Sequence, residues 1–180
     1  MTEKERIAAE LLLFRCRRGD GDAFREIVRT WEKRLFYYIR RMVSEEQDAW
    51  DILQETWVSV LQGIGGLRNP ASLPAWLYSI ARRRVMDHMR EAYAHHSSDE
   101  AENGTIEDIP DQSPAPGDAE RVHRALERLS PAHREALTLH FLEDFSIEEI
   151  AGIVGVAPGT VKSRLHYAKL SLRAVLEREA

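Results

Sequence analysis

Apolar residues recur at three- and four-residue steps along this chain, the spacing of helices that each bury one face. Leu11, Leu12, Leu13 and Phe14 close a short first helix, which Gly19 ends. Phe24, Ile27, Val28, Trp31, Leu35, Tyr38, Ile39 and Met42 form the stripe of a second. Ser44 and Gln47 have the spacing of a capping box, which satisfies free backbone N–H groups at a helix start, and predict the opening of a third. Its inward face is Ala49, Ile52, Leu53, Trp57, Val60 and Leu61, and Gly63, Gly65, Gly66 and Asn69-Pro70 break it. A fourth helix, Ser72 to Arg90, turns Leu73, Trp76, Leu77, Ile80, Ala81 and Val85 inward.

Four shorter runs follow after a gap. Val122, Ala125, Leu126 and Leu129 mark the first, and Ser130-Pro131 supplies a cap and a first-turn proline for the second. Leu137, Leu139, Phe141 and Leu142 fill that second run. Ser146-Ile147-Glu148-Glu149 is another capping box, opening a helix with Ile147, Ile150, Ala151 and Val154 that Gly155 closes. Pro158 starts the last helix, striped by Val161, Leu165, Ala168 and Leu172. The pattern is all-α.

Charge divides the chain. The net charge of −5 argues at first against nucleic acid as a partner, but the excess is local. Residues 93–118 hold Asp99, Glu100, Glu102, Glu107, Asp108, Asp111 and Asp118 with no Lys or Arg, together with Pro110, Pro114 and Pro116. That composition predicts a flexible acidic linker. It separates two small helical domains, 1–92 and 119–180. Within them, no acid lies between Glu55 and Asp87, where Arg68, Arg82, Arg83 and Arg84 occur. None lies between Glu149 and Glu177, where Lys162, Arg164, Lys169 and Arg173 occur. Such stripes suit phosphate contact, because screening confines their fields to about 8 Å at physiological salt; each also suits a merely solvated face.

A short capped helix, a glycine turn and a second helix free of acids match the helix-turn-helix pattern, whose second helix enters the major groove. The face of that helix away from Val161 and Leu165 carries Gly159, Ser163 and His166, flanked by Thr160, Lys162, Arg164 and Tyr167. On the third helix Asp48, Asp51 and Glu55 stack in a row, either a soluble face or a dock for a basic partner helix. Lone Cys16 excludes an internal disulfide and suits a reducing compartment. The chain has no phosphate-binding G-x-x-x-x-G-K-[ST], no H-E-x-x-H and no G-x-G-x-x-G, so no enzyme is expected. His95-His96 is read as incidental, so neither metal nor cofactor is expected.

These residues together resemble the extracytoplasmic-function sigma factors of bacterial RNA polymerase, within the sigma-70 family. Gly19-Asp20 with Ala23-Phe24 resembles the start of region 2, and Asp48 through Trp57 the region 2.2 helix. Ala75 through Arg82 with Asp87 resembles regions 2.3 and 2.4. Leu129-Ser130-Pro131 and Ser146 through Leu165 resemble region 4. Trp50 stands where the family is usually acidic, and Arg83 where it often has Asn.

The resemblance implies a dissociable initiation subunit acting in the cytoplasm, with no membrane insertion. Asp48, Asp51, Gln54 and Glu55 become the candidate contacts to the β′ clamp of the polymerase core, whose β and β′ subunits are the implied partners. Arg68, Asn69, Arg82, Arg83 and Arg84 would hold the opened −10 element of promoter DNA. Thr160, Lys162, Ser163, Arg164, His166 and Tyr167 would read the −35 element. An anti-sigma factor is a further implied partner. The acidic linker is expected to cross the polymerase's basic nucleic-acid channel in place of RNA. The alternative is a helix-turn-helix regulator with an N-terminal sensing domain.

Overall fold

A computed structural model of the chain describes residues 3–96 and 118–178, and every regular element among them is helical. Residues 97–117, with most of the acidic stretch and its expected linker role, lie outside the described residues. The N-terminal half comprises α1 (Glu3–Arg17), α2 (Gly21–Met42), α3 (Glu46–Gly63) and α4 (Leu73–His96). Two single 3-10 turns, Ile64–Gly66 and Pro70–Ser72, join α3 to α4. The C-terminal half comprises α5 (Asp118–Glu127), α6 (Pro131–Leu137) continued by a π turn (Thr138–Leu142), α7 (Ile147–Val154) and α8 (Pro158–Arg178).

The ends of these helices have local causes. Gly19 takes a φ of +80°, open to glycine at little cost. Asp20 then caps α2, accepting from the N–H groups of Asp22 at 2.9 Å and Ala23 at 3.2 Å. Arg15 Nε donates to Asp20 Oδ2 at 2.8 Å. That bond, with the capping N–H groups, holds the Asp20 carboxyl below its ordinary range. Gly63 ends α3 where Trp76 crosses it: a Cβ there would stand 3.0 Å from the Trp76 ring. Trp76 is half-buried against the core, in line with its expected packing role.

Four expectations from the pattern need correcting. The Ser44–Gln47 box does not form, because α3 begins one residue late: Glu45 occupies the cap without a side-chain bond, and Gln47 turns to Asp51 instead. Leu61 is exposed rather than buried, as are Leu11, Phe14 and Val122. The fourth helix runs past Arg90 to His96. The run after Pro131 is not one α-helix, and its π turn leaves Phe141 and Leu142 facing solvent.

Core residues of the two halves form one continuous cluster. Leu13, Ile27, Leu35, Leu53, Leu77 and Val85 from the first join Leu129, Leu139, Ile150, Val161 and Leu165 from the second. The join runs where α6 meets α2 and α7 meets α4. The halves on either side of the acidic stretch are therefore packed on each other.

Candidate nucleic-acid interface

The helix-turn-helix is assembled by caps. Ser146 Oγ accepts from the Glu149 N–H at 3.2 Å, and Glu149 Oε2 accepts from the Ser146 N–H at 2.9 Å, closing the box that the sequence predicts. Gly155 takes the left-handed conformation, φ +75°, and its N–H returns to the Ala151 carbonyl at 2.9 Å. Buried Ile150, Ala151 and Val154 on α7 and buried Val161, Leu165 and Ala168 on α8 then fix one helix on the other. This packing forces the opposite side of α8 outward, so Thr160, Lys162, Ser163, His166 and Tyr167 are all exposed. Arg164 alone of the expected set is half-buried, turned toward the N-terminal half.

On the N-terminal side the three adjacent arginines diverge, as 100° per residue requires. Arg83 is exposed. Arg84 donates from Nε and Nη2 to Ser59 Oγ at 3.2 and 2.8 Å, which ties α4 to α3. Arg82 donates to Glu135 Oε1 at 3.0 Å, across to the other half. Arg68 is exposed, while Asn69 is used locally, its side chain accepting from the Ala71 N–H at 3.1 Å.

The acidic row is where the pattern puts it. Asp51, Gln54 and Glu55 are exposed on α3, and Asp48 is half-buried with His88 Nε2 at 3.2 Å. Arg84, Arg90, Asp51 and Glu55 line one groove between α3 and α4, so both signs of charge face it. Trp50 stacks on Phe36, centroids 4.1 Å apart, and is still 40% exposed. That tryptophan thus adds an apolar shoulder to the row.

Sequence reasoning missed the residues between the halves. Glu135 and Glu143 are buried, and each receives one tyrosine hydroxyl and one guanidinium. Tyr38 Oη donates to Glu135 Oε1 at 2.8 Å beside Arg82. Tyr78 Oη donates to Glu143 Oε2, and Arg34 Nε donates to the same oxygen at 3.0 Å. The tyrosine rings meet edge to face at 5.2 Å, and Tyr78 meets Phe145 likewise at 4.9 Å. Burial, with the glutamates beside them, pushes both hydroxyls well above their ordinary pKa, so both remain donors. Burial opposes the charge of Arg34, but Glu143 and Tyr78 together offset it and raise its pKa. The one advance signal is Glu135, an acid on the apolar stripe from Ala132 to Leu139.

The halves match separate known units. The family model for sigma-70 region 2 covers residues 27–94, and that for sigma-70 region 4 covers residues 119–172. The ECF RNA polymerase sigma factor SigM of Mycobacterium tuberculosis is 33% identical over 175 residues, 96% of this chain and 86% of that protein. The chain belongs to the extracytoplasmic-function sigma factors of the sigma-70 family.

Other relatives agree. The RNA polymerase sigma factor CarQ of Myxococcus xanthus is 32% identical to this sigma factor over 90% of its chain and 94% of CarQ. Its fold matches the sigma factor RpoE of Bartonella quintana, solved with the anti-sigma factor NepR, at TM-score 0.72 and 28% identity, covering 86% of this chain and 96% of that one. It also matches the fold of CnrH, solved with the cytosolic domain of CnrY, at TM-score 0.71 and 22% identity, over 96% and 99% of the two chains. The N-terminal half is therefore sigma region 2, not a sensing domain. A sigma factor acts with core RNA polymerase on promoter DNA, in promoter-specific transcription initiation. Among the described residues no helix is long and apolar enough to cross a membrane, and no cluster suits a metal ion.

Proposed function

We propose that this sigma factor divides its work by surface: the α3 row meets core polymerase, the basic side of α4 meets the −10 element, and the outer face of α8 reads the −35 element. The observation that carries the reading is the exposed polar face of α8, aimed outward by a helix-turn-helix whose caps and buried stripe are complete. Lys162 and Tyr167 lie on that face, with Thr160 and Ser163 near the N-terminus of α8, where residues of a recognition helix meet base edges. Asp51, Gln54 and Glu55 present acids and an amide to a basic helix pair, with Trp50 as the apolar shoulder. Arg68 and Arg83 are exposed toward phosphate. Catalysis belongs to the polymerase core, and the sigma factor supplies only binding and promoter opening, in the cytoplasm. The complex of the similar factor RpoE with the anti-sigma factor NepR supports an anti-sigma protein as its regulator.

Run-off transcription tests this. The purified protein with core polymerase is expected to start transcription at defined promoters of a genomic library. The double variant Asp51→Ala/Glu55→Ala is expected to lose core binding in a pull-down while keeping its helical circular dichroism. No promoter-specific transcript, or unchanged core affinity in that variant, would remove the respective role.

A further inference from the structure

The bonds between the halves are crossed in a regular way. On α2, Arg34 and Tyr38 stand four residues apart; on α4, Tyr78 and Arg82 do the same in reverse order. Four residues is about one helical turn, so each pair lies on one face. Glu135 takes the tyrosine of α2 and the arginine of α4, and Glu143 takes the tyrosine of α4 and the arginine of α2. These four donors belong to region 2 and both acceptors to region 4; one further bond runs the other way, from Arg134 Nη1 to the Arg41 carbonyl at 2.8 Å. Removing region 4 would leave four donors facing water, and removing region 2 would leave two carboxylates. Water satisfies both sets, so opening strands no buried charge; what opposes it is the apolar cluster that the halves share.

The backbone around Glu143 is shaped for the contact. The π turn Thr138–Leu142 ends on it, and the next residue, Asp144, sits at φ +58°, uncommon for a residue other than glycine. Phe145 then packs on Tyr78. Both departures from regular helix flank Glu143, which like Glu135 reaches α2 and α4 together.

The closed arrangement also has a consequence for DNA. Arg82 and Arg164 line one cleft between the halves, with Met86 and Glu135. Two duplex sites separated by two helical turns are ~70 Å apart. The halves, packed as they are, cannot occupy both. The 21 residues between α4 and α5 can span ~75 Å at full stretch, so the chain permits separation.

We propose that Glu135 and Glu143 form an intramolecular latch, which holds region 4 on region 2 in the free sigma factor and withholds Arg82 from DNA until the halves part. The part concerning DNA rests on the function proposed above; the latch itself does not, and it is measured without DNA or polymerase. Small-angle X-ray scattering of the full-length protein is compared with that of Glu135→Gln/Glu143→Gln. The wild type is expected to be compact and the variant expanded, with unchanged helical circular dichroism. Native polyacrylamide gels then compare binding of a fixed-sequence single-stranded oligonucleotide, expected to tighten about tenfold in the variant.

An expanded wild type, or a folded variant as compact as the wild type, would overturn the latch. Should the glutamine variant lose its helices, Tyr38→Phe/Tyr78→Phe decides: it removes only the two hydroxyls, and expansion supports the latch while unchanged dimensions reject it. Expansion without tighter oligonucleotide binding would keep the closure and refute the withholding of Arg82.

Discussion

Tyr78 on α4 and Tyr167 on α8 stand on the two helices that carry the candidate DNA contacts, yet Tyr78 is wholly buried and Tyr167 is 59% exposed. The same contrast runs through their neighbours. On α8 the side chains expected to meet DNA face solvent, because α6 and α7 take the other face of that helix. On α4 two of three arginines are already engaged, one with Ser59 and one with Glu135. The candidate −35 face is made by a small unit packed on itself, whereas the candidate −10 arginines of α4 are shared with packing. The outer face of α8 is therefore presented ready, while Arg82 and Arg84 of α4 are engaged.

The largest expected break in this comparison comes from the tyrosines. Tyr78→Ala removes a buried ring and the hydroxyl on Glu143, and is expected to cost about 3–5 kcal/mol in urea denaturation. Tyr167→Ala is expected to stay within about 0.5 kcal/mol of wild type while weakening binding to −35 duplex in gel shifts. Equal costs would erase the distinction between the two edges.

Next in size, Lys162→Ala and Arg164→Ala separate solvent-facing from half-buried positions on α8. Fluorescence anisotropy on −35 duplex is expected to register a loss of about 1–3 kcal/mol for a residue that reads a base, confined to the cognate sequence. A phosphate contact instead loses affinity on every sequence and flattens the salt dependence. Arg164→Ala is further expected to change the scattering dimensions of the free protein, which Lys162→Ala leaves alone.

The smallest effect is that of alkaline pH on the covered side. Tyr38 and Tyr78 hold their protons above the ordinary value of 10, so above that pH the unfolded chain has lost protons that the folded chain keeps. Their contribution is thus complete below pH 10 and declines as pH rises toward the folded values, by at most ~1.4 kcal/mol per pH unit for each. Thermal melts from pH 8 to 11 should show that decline in the wild type and a shallower one in Tyr38→Phe/Tyr78→Phe.

Two capping boxes of similar spacing mark how far local sequence reaches. Ser146 and Glu149 bond reciprocally as their spacing predicts. Ser44 and Gln47 do not, since α3 starts after Glu45 and leaves Gln47 one residue short of the place from which it would reach back. The helix-turn-helix face was legible because capping, a left-handed glycine and an apolar stripe are contained within some twenty residues. The acidic row on α3 was legible for the same reason. The fates of Arg82 and Arg84 were not, because their partners lie 53 and 25 residues away in sequence.

The amino-acid sequence by itself determined the helices, the order of region 2 and region 4, the exposed faces of α3 and α8, and the segregation of acid into one stretch. Each follows from residues that are neighbours along the chain, where period, caps and charge act within a turn or two. Only the tertiary structure decided that Glu135 and Glu143 are buried, that they draw on α2 and α4 in crossed pairs, and that Arg82 is covered. A carboxylate can leave water only where donors from elsewhere in the chain converge on it, and that convergence exists only once the helices have packed.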